Sequence, residues 1–152
     1  MPVSIQERLV VIKTILVAVD GSNLSEQVIA TVENIKLDSQ SKIILTYVIA
    51  NEGAEVEVRA DRPHNYGEEM PYKMIEKQLQ EYQKRLPCES QIEIVSGDPA
   101  VEIIRTANIY QADLIVVGSR GLTGMKRILQ GSVSSIVVAD AECSVMVVKP
   151  HR

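Results

Sequence analysis

Five short runs of β-branched and aliphatic residues recur along the chain, and most of them are apolar at successive positions rather than at alternate ones. Continuous apolar runs are typical of parallel strands that are covered on both faces. We therefore predict strands within Thr14–Ser22, Lys42–Ala50, Gln91–Pro99, Ala112–Ser119 and Cys143–Pro150.

Segments with the spacing of an amphipathic helix lie between these runs. The helices are predicted at Ser25–Lys36, Glu69–Leu86, Ala100–Tyr110 and Ser132–Asp140. Ser25 is expected to cap the first helix, and Asp98 followed by Pro99 is expected to begin the third. The regular alternation of strands and helices predicts an α/β fold, an open doubly wound parallel sheet with helices on both faces.

Two segments fall outside this alternation. Residues 1–12 precede the first strand as an N-terminal extension, and Asn51–Glu68 is polar, unpatterned and long for a connection in an α/β domain. The second segment is either a surface loop or a lid. The length of 152 residues fits a single domain, which we assign to residues 1–152.

Composition and charge argue against several classes of protein. The chain has no Phe or Trp and a net charge of −4, which argues against nucleic-acid binding. Its two cysteines lie far apart without metal-ligand spacing, so neither a disulfide framework nor a zinc site is expected. No signal peptide is apparent and no apolar run approaches a membrane span, so we predict a cytoplasmic protein without a membrane partner.

Residues that could bind a ligand lie at the ends of the first and fourth predicted strands. Ligands of open α/β sheets bind outside the carboxyl ends of the strands, where the strand order reverses. The first strand ends in VDGS with Asp20, and the fourth leads into the glycine-rich stretch VVGSRGLTGMKRILQGSVSS. A helix that begins at Gly131 and Ser132 would direct unpaired backbone N–H groups at a bound anion.

The glycine spacing does not match the common phosphate-binding motifs, because neither GxxxxGK[ST] nor GxGxxG occurs. The pattern Gly118-x2-Gly121-x9-Gly131-Ser132 instead resembles the nucleotide-binding signature of ATP-binding members of the universal stress protein family. The resemblance extends over most of the chain and includes TILVAVDGS, LTYVIA, GDPAVEII, ADLIVVGSRG and GSVSSIVVADAECSVMVVKP.

This resemblance implies a five-stranded, Rossmann-like sheet of order 3-2-1-4-5, a homodimer formed through Ser144–Val148, and ATP bound between the first and fourth strands. It implies that Asp20 borders the nucleotide and that the backbone of Val48 faces the adenine. The full set of implied nucleotide-binding residues is Ala18, Val19, Asp20, Val48, Val117, Gly118, Arg120, Gly121, Gly131, Ser132, Val133 and Ser134.

Several of these roles have an alternative. Arg120, Lys126 and Arg127 can pair with phosphate oxygens or belong to a solvated surface loop, and Gly124 can simply serve a turn. Asp20 can hold a ribose hydroxyl or a phosphate-bound Mg²⁺, or it can be a turn residue of the Asp-Gly-Ser sequence.

Three functions follow from these patterns. The preferred one is an ATP-binding, nucleotide-responsive stress or signalling module. The second is a slow ATPase in which Asp20 orients water, but dedicated catalysis is not expected because His64 and His151 are the only histidines and neither is near a candidate nucleophile in the sequence. The third is a nucleotide-free stress protein that binds a partner.

Overall fold

The computed structural model describes residues 12–50, 65–119 and 127–151. In these residues, five parallel strands form one sheet of order β3-β2-β1-β4-β5. The strands are β1 (Thr14–Val19), β2 (Lys42–Ala50), β3 (Glu89–Gly97), β4 (Leu114–Gly118) and β5 (Ser144–Val148), and the helices are α1 (Asn23–Glu33), α2 (Asn65–Gln83), α3 (Pro99–Ile109) and α4 (Arg127–Asp140). The predicted fold class and strand order are confirmed.

The sheet is covered on both faces, which explains why the strand sequences are apolar at successive positions. In β1, Ile15, Val17 and Val19 pack with α1 and α2 on one face, which we call the first face. Leu16 and Ala18 pack with α3 and α4 on the other, the second face. The central strand is therefore almost fully buried, and β-branched and aliphatic side chains on both sides form the core.

Several helix boundaries differ from the predictions. Helix α1 begins at Asn23 with Ser22 as its N-cap, so the prediction that Ser25 caps it was wrong. Helix α2 begins at Asn65, so residues 65–68, predicted to be loop, are helical, while residues 51–64 lie outside the described residues. The predicted start of α3 is confirmed, because Asp98 accepts a hydrogen bond from the Val101 backbone N–H at 3.1 Å.

Helices α1 and α2 are joined by a salt-bridged arginine just after the end of α2. The Arg85 guanidinium lies 2.8 Å from Glu26 and 2.8 Å from Glu33, both on α1. These two hydrogen-bonded carboxylates raise the pKa of Arg85 above its ordinary value. Arg85 thus ties the end of α2 to the first and last turns of α1. In the part of the chain that is described, no helix has the length and apolar character needed to cross a membrane.

Candidate functional site

The sheet order places the candidate site at the carboxyl ends of β1 and β4. These strands are neighbours, and β1 is where the chain order reverses, since β2 and β3 lie on one side of it and β4 and β5 on the other. Asp20 follows the last residue of β1, and Gly118 is the last residue of β4. Such a reversal opens a crevice between the two loops that leave the sheet there.

Four of the predicted site residues share the second face of the sheet near this crevice. Ala18 and Val117 are buried in the core cluster of that face, and Val48 and Val133 pack against it while remaining partly exposed. Val19 belongs to the core cluster of the first face, so its side chain lies on the opposite side of the sheet from the other four. The structure thus brings Ala18, Val48, Val117 and Val133 into one apolar cluster on the second face, and separates them from the side chain of Val19.

The loop between β1 and α1 holds Asp20 in a compact turn. Oδ1 of Asp20 accepts hydrogen bonds from the Ser22 backbone N–H and from the Ser25 hydroxyl, each at 2.9 Å. Gly21 has φ +82°, a left-handed conformation that favours glycine. The turn interpretation of Asp20 is therefore supported for one carboxylate oxygen, and a ligand role for the other oxygen stays a prediction.

Ser22 is an unusual N-cap, because its side chain makes no capping hydrogen bond to α1. Its Oγ is buried and has no hydrogen-bond partner among the described residues. A buried hydroxyl without a partner costs about 1–3 kcal/mol. An orphaned hydroxyl at the edge of the crevice therefore fits a site that receives a polar group.

Gly118 has a packing reason to be glycine that the sequence does not reveal. A Cβ at this position would lie 2.8 Å from Cδ2 and 3.0 Å from Cγ of Leu24, a buried residue in the first turn of α1. The missing side chain lets α1 approach β4. A contact between Gly118 and a phosphate stays a prediction.

The predicted start of the last helix was wrong. Helix α4 begins at Arg127, four residues before Gly131, because the helical pattern continues through Ile128, Leu129 and Gln130 and a glycine inside a helix costs only about 1 kcal/mol. Gly131 and Ser132 therefore lie in the second turn, where backbone N–H groups are bonded within the helix. Ser134 is buried in the same helix. Arg120, Gly121, Gly124 and Lys126 lie outside the described residues.

Two tyrosines lie on the first face, near the loop that carries Asp20. Burial, and then the Asp20 charge, raise the pKa of Tyr47 above its ordinary value. Burial, followed by the Glu26 and Asp20 charges, raises the pKa of Tyr82 to about 12. Both phenols therefore stay neutral at physiological pH. No motif in the sequence points to these two tyrosines, although aromatic residues are rare enough in this chain to stand out.

Groups that would indicate catalysis are sparse in the part of the chain that is described. His64 lies outside it, and His151 is exposed near the C-terminus, where its backbone N–H donates to the Gln27 side chain at 2.7 Å. Within the described residues, no group of three or more His, Cys, Asp and Glu side chains is arranged to hold a metal ion.

Comparisons with known proteins give a consistent picture. The model of the universal stress protein family matches residues 12–149. Universal stress protein MJ0531 of Methanocaldococcus jannaschii is 31% identical over 147 residues, which cover 92% of this chain and 84% of the relative.

Solved structures share the fold. The hypothetical protein MJ0577, from the same organism, superposes with a TM-score of 0.78 at 28% identity over 94% of this chain and 99% of that one. A universal stress protein family protein of Arabidopsis thaliana, At3g01520, was solved with AMP bound. It superposes with a TM-score of 0.55 at 26% identity over 91% of this chain and 92% of that one.

Proposed function

The chain belongs to the universal stress protein family, and on that premise we propose that it is an ATP-binding module that responds to nucleotide in a stress or signalling pathway. The observation that carries the proposal is the partly exposed Val48 beside the buried Ala18 and Val117, an apolar surface next to the Asp20 loop at the strand-order reversal. The flat apolar faces of an adenine suit such a surface, and ribose hydroxyls can donate to the Asp20 carboxylate.

The AMP-bound Arabidopsis relative supports an adenine nucleotide as the ligand class. Our choice of ATP rests on the Gly118-x2-Gly121-x9-Gly131-Ser132 signature. Contact between a phosphate and the Gly131 amide requires that the first turn of α4 opens, because that amide lies in the second turn. Bound ATP would bring Mg²⁺ through its phosphates, with the second oxygen of Asp20 as a candidate ligand.

Nucleotide binding can be tested on the purified protein. We expect acid extraction to release an adenine nucleotide, and calorimetric titration of the stripped protein with ATP and Mg²⁺ to show saturable binding. Intact ATP after several hours supports a binding module, and steady accumulation of ADP supports a slow ATPase. Lack of both bound nucleotide and measurable affinity would favour the nucleotide-free alternative and overturn the proposal.

If the Gly131 amide contacts a phosphate, replacing Gly131 with alanine should have opposite effects on ATP binding and on stability. Gly131→Ala should stabilise the protein by up to about 1 kcal/mol, because alanine favours a helix more than glycine does. It should also weaken ATP binding by up to about fivefold, because the same helix preference opposes opening of the turn and about 1.4 kcal/mol corresponds to a tenfold change in affinity. Ser135→Ala, an exposed change in the same helix, is the matched control and should leave ATP affinity unchanged. Unchanged affinity in Gly131→Ala would remove Gly131 from the site.

We also propose a homodimer formed through β5. This strand is an edge of the sheet, and the neighbouring helix α4 exposes Ile136 and Val138. The Val148 carbonyl accepts from the Ser119 N–H at 2.9 Å, so the backbone groups of Val148 turn toward β4 and those of Val147 turn toward the open edge. An apolar open edge next to exposed aliphatic side chains favours pairing with a second copy.

Two proline substitutions separate dimerisation from folding. Val147→Pro removes an N–H group at the open edge, and we expect a folded monomer in sedimentation experiments. Met146→Pro, one residue earlier, removes an N–H group on the β4 side and should destabilise the fold itself. A wild-type protein that sediments as a monomer at micromolar concentration would contradict the dimer.

The proposal includes a cytoplasmic location. It is supported by the two cysteines, Cys88 and Cys143, which are free thiols in the structure. Burial raises the pKa of both thiols, which keeps them protonated and poorly reactive at neutral pH.

A further inference from the structure

Ser25 lies in the first turn of α1 and is 2% exposed. It is not the helix cap, and it belongs to none of the residues that the nucleotide-binding signature selects. Its hydroxyl is directed back into the loop between β1 and α1, where it contacts the two residues that follow β1.

The Ser25 hydroxyl makes three hydrogen bonds within this loop. Its Oγ accepts from the Asp20 N–H at 2.9 Å and from the Gly21 N–H at 3.2 Å, and it donates to Asp20 Oδ1 at 2.9 Å. A serine hydroxyl has one donor and two acceptor lone pairs. All of its hydrogen-bonding capacity is therefore spent on the turn that carries Asp20.

These contacts decide how the Asp20 carboxylate is held. Oδ1 accepts from both the Ser25 hydroxyl and the Ser22 N–H. Within the described residues, both hydrogen bonds that the carboxylate accepts fall on this one oxygen, so Oδ2 is the oxygen available to a ligand. The arrangement holds the carboxylate through Oδ1 and leaves Oδ2 unused within the described residues.

We propose that Ser25 is a positioning residue of the nucleotide site, which acts through Asp20: its buried hydroxyl holds the Asp20–Gly21 turn and presents Asp20 Oδ2 to the ribose hydroxyls or to a phosphate-bound cation. This inference rests on the proposed function. It adds a residue in α1 that touches no ligand and yet sets the affinity of the site.

Loss of the hydroxyl has two consequences that can be separated. Ser25→Ala leaves the Asp20 and Gly21 amides without their acceptor, which lowers stability whether or not a ligand binds. It also removes one of the two hydrogen bonds that hold the carboxylate, which lowers nucleotide affinity only if Asp20 contacts the nucleotide. A double-mutant cycle distinguishes the second effect from the first.

The test is calorimetric titration with ATP and Mg²⁺ of the wild type, Ser25→Ala, Asp20→Ala and the double variant. We expect Ser25→Ala to weaken binding about tenfold, Asp20→Ala to weaken it at least as much, and the double variant to bind no more weakly than Asp20→Ala alone. Thr31→Val is the matched control, because the Thr31 hydroxyl donates to the Gln27 carbonyl at 2.8 Å farther along α1. It should leave affinity unchanged.

Backbone amide signals of Asp20 and Gly21 in NMR spectra report whether the turn has changed in each variant. If Ser25→Ala does not fold, Ser25→Cys carries the same test, because its larger sulfur fills the site of the hydroxyl and is a poor acceptor. Wild-type affinity in a folded Ser25 variant would overturn the inference alone. So would a tenfold loss that persists in the Asp20→Ala background. Absence of ATP binding by the wild type would instead overturn the proposed function, and the inference with it.

Discussion

The substitution Gly118→Ala tests whether the last residue of β4 is glycine for packing or for a ligand. The new Cβ would lie 2.8 Å from Leu24 Cδ2 and 3.0 Å from Leu24 Cγ, whereas ordinary contacts begin at 3.4 Å. Leu24 is 8% exposed and packs in the first turn of α1, so it cannot swing into solvent without losing buried surface. The helix or the strand must therefore shift by several tenths of an ångström.

Overpacking of this kind costs about 1–3 kcal/mol. Where the backbone conformation suits alanine, Gly→Ala also raises the free energy of unfolding by about 0.4–1 kcal/mol, because alanine has fewer conformations in the unfolded chain. Gly118 is not among the positive-φ glycines, so the gain applies here. We expect a net loss of up to about 2.6 kcal/mol in the free energy of unfolding, which corresponds to a fall in Tm of up to roughly 10 °C for a chain of this length.

The assay is urea unfolding of four proteins: the wild type, Gly118→Ala, Leu24→Ala and the double variant. Leu24→Ala alone removes the two crowded atoms and a buried side chain, and should cost about 2–5 kcal/mol. In that background the alanine at position 118 meets no crowding, so Gly118→Ala should become neutral or stabilising. The expected coupling energy is at least about 1 kcal/mol.

Two results would refute this reasoning. If Gly118→Ala costs as much in the Leu24→Ala background as in the wild type, the crowding with Leu24 is not the cause. If Gly118→Ala is neutral for stability and yet abolishes ATP binding, the glycine serves the ligand, as the sequence pattern alone suggested.

Two further predictions concern the elements around the site. The pKa of Tyr82 is raised from an unfolded value near 10 to about 12, so the neutral phenol stabilises the fold below pH 10. This stabilisation, about 2–3 kcal/mol, is lost as the pH rises to 12. Tyr82→Phe should lose less stability than the wild type between pH 10 and 12 in urea unfolding, and parallel curves would contradict the assignment. Asp98→Ala removes the capping hydrogen bond from the Val101 N–H and should lower the free energy of unfolding by about 1 kcal/mol, whereas Asp98→Asn should retain most of this stability. Equal losses in the two variants would show that charge rather than the hydrogen bond stabilises α3.

The architecture was largely accessible from the sequence, because β1, β2 and β4 contain buried apolar runs, and β3 and β5, which are mostly only partly buried, are still rich in β-branched residues. The order of the strands was inferred from the family resemblance and not from the hydrophobic pattern. A continuous apolar run indicates a central strand but does not indicate which strands lie beside it. Helix starts were less accessible. Serines at 22 and 25 are both acceptable caps by type. Side-chain hydrogen bonds within the loop decide between them, because Ser25 is bonded to Asp20 and Ser22 is left at the N-cap.

The glycines show why the site was harder to predict than the fold. Gly21 is required by a left-handed φ, and Gly118 by the approach of Leu24. Gly131 lies within a helix, where it has no conformational reason to be glycine. A glycine indicates a ligand only when neither its backbone conformation nor its packing requires glycine. Packing depends on distances between elements of the fold, which no sequence pattern contains.

The first turn of α1 connects these observations. Leu24 packs against Gly118 at the end of β4, and the next residue, Ser25, holds the turn at the end of β1. One helical turn therefore contacts both strands that border the crevice. The position of that turn is set in part by Arg85, which binds Glu26 from the end of α2. Because the same few residues pack against the end of β4 and orient Asp20, changes in the first turn of α1 should alter stability and nucleotide affinity together, whereas changes in the last turn should alter stability alone.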